Sequence, residues 1–365
     1  MTNVAGMEID AKKIEILWVT KEYKNLLPLD LELSSKGVFR WLRQRTIPKN
    51  RAYVHNLLSK SGLSINRPLG IIRVTKGLSL NDCYWVVEEN FPGQFEQFSL
   101  YENRFSRVLA LIAFTGYGSS VRSSLFSSPE FTTNGMLPKC WRRESGVIRL
   151  YKGGTVGTSN SGNEPYSEFY ACQVAKAMGI NAVDYKLSKW KGQLCSACEL
   201  FTDKENAFLP VGRLVTSGGM KAVRGYYEEL GQEFVEALND MLVFDAVICN
   251  VDRHYGNFGF LINNATNTIT APAPLFDHGN SLFNFAGADD WENDKTLEAY
   301  ADTLVPAVYD NFLDTARSVL TDKHREALRH LLTFRFRKHP RYNLPEKRLH
   351  LIEEEIRKRA RALLS

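Results

Sequence analysis

The chain has few cysteines, no internal repeat and no long apolar run, and these absences exclude several classes of protein. Six cysteines in 365 residues are too few for a disulfide framework, and free thiols suit a reducing compartment. No stretch approaches the roughly 20 apolar residues that a membrane-spanning helix needs. The N-terminus is charged early and lacks the apolar segment of a secretory signal. The sequence therefore predicts a cytoplasmic protein with no membrane partner.

Two of the cysteines, Cys195 and Cys198, form a C-x-x-C pair. A structural zinc site needs about four ligands, and no second C-x-x-C or histidine pair follows at zinc-finger spacing. A metal or redox site remains the alternative, but the pattern favours two thiols in a part-buried strand.

The net charge of +5 is unevenly distributed along the chain. Residues 321–365 contain 13 Lys or Arg and 6 Asp or Glu, so most of the positive charge lies at the C-terminus. A basic tail of this kind is able to contact nucleic acid or an acidic partner. The pattern favours the alternative, a solvated helix face.

The first hundred residues carry no assignable motif and are expected to form a mixed α/β unit. Residues 38–42 have helical character, whereas residues 71–74 (Ile-Ile-Arg-Val) have the composition of a strand. The same region contains a basic cluster that we expect at the surface: Arg43, Arg45, Lys49 and Arg51.

From residue 145 onward the periodic patterns become sharper. Residues 147–152 alternate as a strand, and Glu164-Pro165 opens a helix that ends near Gly179. Residues 194–201 again resemble a strand, and the chain beyond them is mostly helical. This order predicts an α+β fold with two lobes. The expected parts are an α/β subdomain of unassigned role (1–115), an N-lobe (116–201) and a helical C-lobe (202–365).

The strongest signal comprises residues 250–261 (Asn-Val-Asp-Arg-His-Tyr-Gly-Asn-Phe-Gly-Phe-Leu) and 275–280 (Leu-Phe-Asp-His-Gly-Asn). Two strand-like runs in this region flank a turn-forming sequence, Asn-Asn-Ala-Thr-Asn. In an antiparallel hairpin the start of the first strand lies beside the end of the second. The pattern therefore predicts that Asn257 and Asp277 meet at the open end, with Asp252 just upstream.

Two carboxylates and an amide oxygen in one place suit a hard cation such as Mg²⁺, which is often shared with nucleotide phosphates. Phosphoryl transfer also uses a carboxylate to orient the attacking hydroxyl. We therefore interpret Asp252 as a base and Asn257 and Asp277 as magnesium ligands. The alternative is structural: Asp252 caps a turn, and residues 277–279 only end a strand.

Lys152 lies on the alternating strand where the pattern predicts core. A buried lysine needs an anionic partner, and Glu168 is the natural candidate because it begins an inward-facing helical stripe. The stripe comprises Glu168, Ala171, Cys172, Ala175 and Met178. A strand lysine that pairs with a helix glutamate and contacts phosphates is typical of kinases. The alternative is a surface lysine that snorkels.

These motifs resemble those of known kinases. Asp-Arg-His-x-x-Asn followed by Asp-x-Gly is similar to the phosphoinositide 3- and 4-kinases, and the longer match is to the HipA family of serine/threonine kinases. That match includes residues 245–250 before Asp252, residues 167–180 around Glu168, and Glu199-Leu200-Phe201, which resembles the family hinge. It covers roughly residues 127–283.

The resemblance implies a role for each matched position. Lys152 would contact the phosphates, Asp252 would be the catalytic base, and Asn257 and Asp277 would bind Mg²⁺. Backbone groups near Glu199 and Phe201 would hold the adenine of ATP. His254 would support the loop, with a free imidazole base as the less favoured alternative. Asp245 is expected to be a buried carboxylate that accepts backbone N–H bonds.

Residues 127–139 occupy the place of the family's phosphate loop, which ends in lysine. HipA-like kinases phosphorylate a serine in this loop. The resemblance therefore predicts self-modification here, and the candidate sites are Ser127, Ser128, Thr132 and Thr133.

The resemblance implies an ATP- and Mg²⁺-dependent serine/threonine protein kinase that acts on a protein substrate. A role as the toxin of a toxin–antitoxin pair, with an antitoxin-type protein partner, is a further implication. Two alternatives stay open: a phosphoinositide-type lipid kinase and a non-catalytic, kinase-shaped regulator.

Overall fold

The computed structural model describes residues 3–9, 14–121, 128–157 and 161–365, except for the side chain of Ile9. The chain divides into two compact units. The first comprises Met1–Lys152, Leu200–Leu209 and Phe260–Thr270, and the second comprises Gly153–Glu199, Pro210–Gly259 and Ala271–Ser365. The sheets and numerous helices of the chain confirm the predicted α+β class.

The first unit begins with an antiparallel hairpin and continues through short helices to a second hairpin. Its elements are β1 (Ala5–Ile9), β2 (Ile14–Val19), α1 (Ser35–Gln44), α2 (Val54–Lys60), α3 (Pro68–Thr75), α4 (Phe95–Phe98), α5 (Arg107–Thr115), β3 (Lys139–Glu144) and β4 (Val147–Gly153). The β3–β4 register places Lys139 opposite Lys152. A three-stranded sheet follows in the order β7-β8-β9, formed by β7 (Asn206–Pro210), β8 (Gly259–Asn263) and β9 (Thr268–Pro272).

The strand expected at residues 71–74 is wrong, because this segment lies in the helix α3. Pro68 occupies the first turn of α3, where its missing N–H costs nothing. Ile71, Ile72 and Thr75 are buried, and their spacing corresponds to one face of a helix. Packing of this face outweighs the strand preference of the β-branched side chains.

A hydrophobic cluster joins α2, α3 and α5 to the turn that follows residue 128. Its buried members are Ile47, Val54, Leu57, Leu58, Ile71, Leu109, Ile112, Ala113 and Phe131. Phe131 is completely buried, so it anchors the beginning of the candidate phosphate loop in the first unit's core.

The second unit contains one hairpin and is otherwise mainly helical. Its elements are α6 (Glu164–Ala177), β5 (Tyr185–Trp190), β6 (Gln193–Glu199), α7 (Val211–Leu214), α8 (Gly219–Leu230), α9 (Gln232–Ile248), α10 (Asp294–Thr303), α11 (Phe312–Val319), α12 (Asp322–Leu331) and α13 (Glu346–Leu364). The helix expected from Glu164 and the inward stripe on it are confirmed, since every residue of the stripe is buried. Within the described ranges, no helix has the length and apolar character needed to cross a membrane.

The basic C-terminal segment is part of the folded unit. Arg357 and Arg359 on α13 are buried, and the Arg359 Nε donates to the carbonyl of Ala246 at 2.6 Å. Other cations of the segment pair with carboxylates, such as Arg335 with Glu353. Part of the positive charge of this segment is therefore buried by packing or neutralised by ion pairs.

Candidate functional site

The loop after α9 is built on a buried ion pair. Arg253 and Asp245 have completely buried side chains, and the guanidinium forks onto the carboxylate through Nε and Nη2, both at 2.9 Å. Asn250 donates to the same carboxylate at 3.1 Å. Asp245 is therefore a loop-shaping carboxylate as expected, but its side-chain donors are Arg253 and Asn250, because the sequence supplies a cation eight residues later.

Burial alone would lower the pKa of Arg253, but the charge and hydrogen bonds of Asp245 outweigh this effect and raise the pKa. The guanidinium is therefore charged, and its remaining donors are available to the backbone.

Arg253 also ties the two ends of the β8–β9 hairpin together. Its Nη1 donates to the carbonyl oxygens of Asn257 at 3.2 Å and of Phe276 at 2.6 Å. Asn257 and Phe276 therefore share one donor atom, and Asp277 is the next residue. This contact confirms the convergence of the hairpin ends that the sequence predicts.

Asp252 has its backbone and its carboxylate fixed by amide side chains. Asn280 donates to Oδ2 of Asp252 at 2.9 Å. The backbone N–H of Asp252 donates to Asn250 Oδ1 at 3.2 Å, and its carbonyl accepts from Asn257 Nδ2 at 3.2 Å. Asp252 is half-buried, so the carboxylate is oriented without being enclosed.

Asp277 adopts a left-handed backbone conformation with φ of +59°. Aspartate tolerates this region better than most residues. Its N–H donates to the hydroxyl of Tyr185 at 3.0 Å. Burial raises the pKa of Tyr185 well above its usual value, and the charges of Glu168 and Asp277 add to the effect. Two of the predicted site carboxylates therefore lie near this one phenol.

Lys152 and Glu168 are both buried, as expected. Glu168, in the second unit, accepts a hydrogen bond from the hydroxyl of buried Ser196 on β6. Lys152 lies on β4 and is the last residue of the first segment of the first unit. Their pairing stays a prediction.

His254 supports the loop through its ring, which fits the expected role. Its Nδ1 accepts from the N–H of Gly256 at 3.0 Å, and the backbone N–H of His254 donates to the carbonyl of Asp252 at 2.8 Å. The side chain is exposed. Nδ1 is thus occupied as an acceptor within the loop.

The residues proposed as the hinge lie where the chain leaves the second unit. Glu199 ends β6, and the first unit resumes at Leu200, whose N–H donates to the carbonyl of Ile148 at 2.9 Å. Phe201 packs edge-on against Phe208, with ring centroids 5.4 Å apart.

The candidate phosphosites are engaged in local hydrogen bonds. Ser128 and Thr132 are buried, and Ser128 Oγ accepts from the N–H of Glu130. Thr133 donates to the carbonyl of Pro129 at 2.6 Å and accepts from Trp141 Nε1 at 2.8 Å. Ser127 lies outside the described residues.

Cys195 and Cys198 are buried thiols on β6, which confirms the strand interpretation. Residues three apart on a strand point to opposite faces. In the described part of the chain, no group of three or more His, Cys, Asp or Glu side chains is arranged to hold a metal. The magnesium site predicted from the sequence combines an amide with a carboxylate and stays a prediction.

The sequence interpretation missed Arg253, Asn280 and Tyr185. A signal for Arg253 existed, because a buried Asp245 requires a cation and the nearest arginine in the loop is Arg253. Asn280 and Tyr185 had no signal, since only the fold brings them to Asp252 and Asp277.

Comparisons with known proteins identify similar kinases. No protein-family model matches the chain. The serine/threonine-protein kinase CtkA of Helicobacter pylori is 29% identical over 177 residues, which are 44% of this chain and 51% of the relative. The chain therefore spans about half the length of this curated relative.

Two solved structures are also similar. The structure of a Helicobacter pylori proinflammatory kinase CtkA matches 62% of this chain and 92% of that chain, at 18% identity and a TM-score of 0.49. HipA of Shewanella oneidensis MR-1, solved with HipB and its operator DNA, matches 98% of this chain and 94% of that chain, at 15% identity and a TM-score of 0.54. The latter match shows a shared fold.

Proposed function

We propose that this chain, which resembles the HipA-like serine/threonine kinases in sequence and in fold, transfers the γ-phosphoryl group of ATP to a serine or threonine of a protein. The observation that carries the proposal is the Arg253 contact that joins the backbones of Asn257 and Phe276. The contact supports the prediction that the amide of Asn257 and the carboxylate of Asp277 lie at the same end of the hairpin.

The side chains in this region fit magnesium, because Mg²⁺ prefers oxygen ligands and binds through one or two carboxylates plus substrate phosphates. Asn257 and Asp277 would hold the ion, which would neutralise charge on the transferred phosphoryl group. Lys152 would contact the phosphates of ATP, and backbone groups near Glu199 and Phe201 would hold the adenine.

Asp252 would accept the proton of the attacking hydroxyl. A base must be held within hydrogen-bond reach of that proton, and the Asn280 amide fixes the direction of the carboxylate. Arg253 acts behind Asp252 by holding the loop to the hairpin, and His254 stabilises the turn that follows.

Radiolabelled ATP with magnesium should label protein in a cell lysate, and removal of magnesium by EDTA should abolish the transfer because phosphoryl transfer depends on charge neutralisation. Asp277→Asn should reduce labelling strongly. Asp314→Asn is the control, since Asp314 is an exposed carboxylate on α11.

Anionic lipid vesicles are a second acceptor in the same experiment. Transfer to lipid in preference to protein would reject the protein-kinase proposal in favour of a lipid kinase. ATP binding without transfer to either acceptor would indicate the non-catalytic alternative.

We also propose self-phosphorylation within residues 127–139. Incubation with ATP and magnesium should add phosphate to Ser127, Ser128, Thr132 or Thr133, as detected by mass spectrometry of the tryptic peptides. Thr133 must first give up its bonds to Pro129 and Trp141, so modification should be slow. An active enzyme whose peptides stay unmodified would contradict this proposal.

A toxin role with an antitoxin-type protein partner is proposed from the HipA likeness, since the HipA structure contains HipB. Packing within the fold already accounts for part of the positive charge of the C-terminal helix, so we propose no nucleic acid contact for it.

A further inference from the structure

Arg51 connects the N-terminal region to residues 129–139 of the candidate phosphate loop, across some eighty positions of sequence. Its Nη1 donates to the carbonyls of Glu130 at 3.2 Å and Thr133 at 3.1 Å. Its Nη2 donates to the carbonyl of Lys139 at 2.6 Å and pairs with Glu130 Oε2 at 3.2 Å. One side chain therefore holds the beginning, the middle and the end of the loop.

Further contacts hold the same loop. The N–H of Ala52 donates to the carbonyl of Met136 at 2.7 Å. The second oxygen of Glu130 accepts from the N–H of Trp141 at 2.8 Å. Glu130 thus joins Arg51 to β3, and the adjacent residue Ala52 fixes the outer part of the loop. We call Arg51, Ala52 and Glu130 the clamp.

The end of the loop is also in register with Lys152. Lys139 is the first residue of β3 and lies opposite Lys152 in the β3–β4 register. The Lys139 ammonium donates back to the carbonyl of Asn134 at 2.9 Å. Gly135 has φ of +90°, and a Cβ there would clash with that ammonium. The loop is therefore a closed structure, and Arg51 is bonded to its last carbonyl.

We propose that Arg51 is a positioning residue of the kinase, which holds loop 129–139 in the form that accepts the phosphates of ATP. This inference rests on the proposed function and gives the N-terminal region a role in it. Arginine suits the task because its planar fork makes several hydrogen bonds at once, which a lysine does not reproduce.

The clamp can be removed without leaving an unpaired buried charge. Burial raises the pKa of Glu130 to about 7, and Arg51 partly offsets this effect. Without Arg51 the carboxyl would take up a proton more readily. The variant Arg51→Met is therefore expected to fold, and Arg51→Met with Glu130→Gln removes both charges if the single variant does not.

Arg45 provides a matched control in the same unit. It is as buried as Arg51, at 2% exposure each. It forks onto Asp82 at 2.8 and 2.7 Å and donates to the carbonyls of Gly77 and Tyr84. These partners all lie outside loop 129–139, so Arg45→Met removes a similar buried network from a different place.

Two measurements on the full chain test the inference: hydrogen exchange of the peptide covering residues 129–139 without ATP, and the affinity for ATP with magnesium by calorimetry. Arg51→Met should speed exchange in this peptide and weaken ATP binding about tenfold or more, as misplacement of positioning groups does. Arg45→Met should change both by less than about twofold, because distant sites without shared partners act independently.

Equal weakening of ATP binding by the two variants would overturn the inference, as would unchanged ATP affinity when Arg51→Met loosens the loop. Unchanged exchange in residues 129–139 would show that the clamp does not hold the loop. Absence of ATP binding by the wild-type chain would instead contradict the proposed function. The hydrogen exchange of residues 129–139 would still show whether the clamp holds the loop.

Discussion

Replacing Asp252 with asparagine should slow phosphoryl transfer by about a hundredfold to ten-thousandfold, the usual contribution of a positioned general base. The amide has the shape of the carboxylate and can still accept from Asn280, but it does not take up the proton of the attacking hydroxyl. Initial rates of γ-phosphate transfer at saturating ATP and magnesium measure the effect.

The affinity for ATP should change little in this variant, because Asp252 is assigned to the acceptor hydroxyl. Asp310→Asn, a matched change at an exposed carboxylate, should keep the wild-type rate. Retention of more than about a tenth of the activity by Asp252→Asn would exclude a general-base role of ordinary size.

Replacing Arg253 with methionine should lower the free energy of unfolding by about 3–5 kcal/mol, because it leaves the carboxylate of Asp245 buried without its cation. Both side chains are completely buried. The variant also loses the donor shared by Asn257 and Phe276, so phosphoryl transfer should fall with stability. Urea unfolding at pH 7 measures the first effect.

The double variant Asp245→Leu with Arg253→Met should recover part of the lost stability, since replacing both members of a buried pair costs less than removing one. Arg329→Met is the surface control. Its pair with Glu326 is more than half exposed on both sides and should contribute little to stability, because solvent screens it. If Arg253→Met lowered the free energy of unfolding by as little as Arg329→Met does, the buried pair would not stabilise the loop.

The hairpin end of the site was predictable because two local patterns determine it. Strand-like runs around a turn-forming sequence predict the hairpin, and Arg253 bonds to the backbones of Asn257 and Phe276 at its open end. Lys152 and Glu168 were predictable as buried charges, because each occupies an apolar position in a periodic pattern. Local periodicity was sufficient in these cases since it decides which face of an element is buried.

Long-range contacts were not predictable in the same way. The basic cluster expected at the surface is only half correct: Arg43 and Lys49 are exposed, but Arg45 and Arg51 are buried. Their anions, Asp82 and Glu130, lie 37 and 79 residues away. No local pattern links such distant positions, so composition alone favoured a solvated cluster.

The division of the chain into units also bears on synthesis at the ribosome. The first unit takes its last segment from Phe260–Thr270, and β7 requires β8 as its neighbour in the sheet. Since chains emerge from the N-terminus and domains fold as units, the first unit stays incomplete until Thr270 has been synthesised. Residues 153–199 and 210–259, which belong to the second unit, are therefore translated before the first unit is complete.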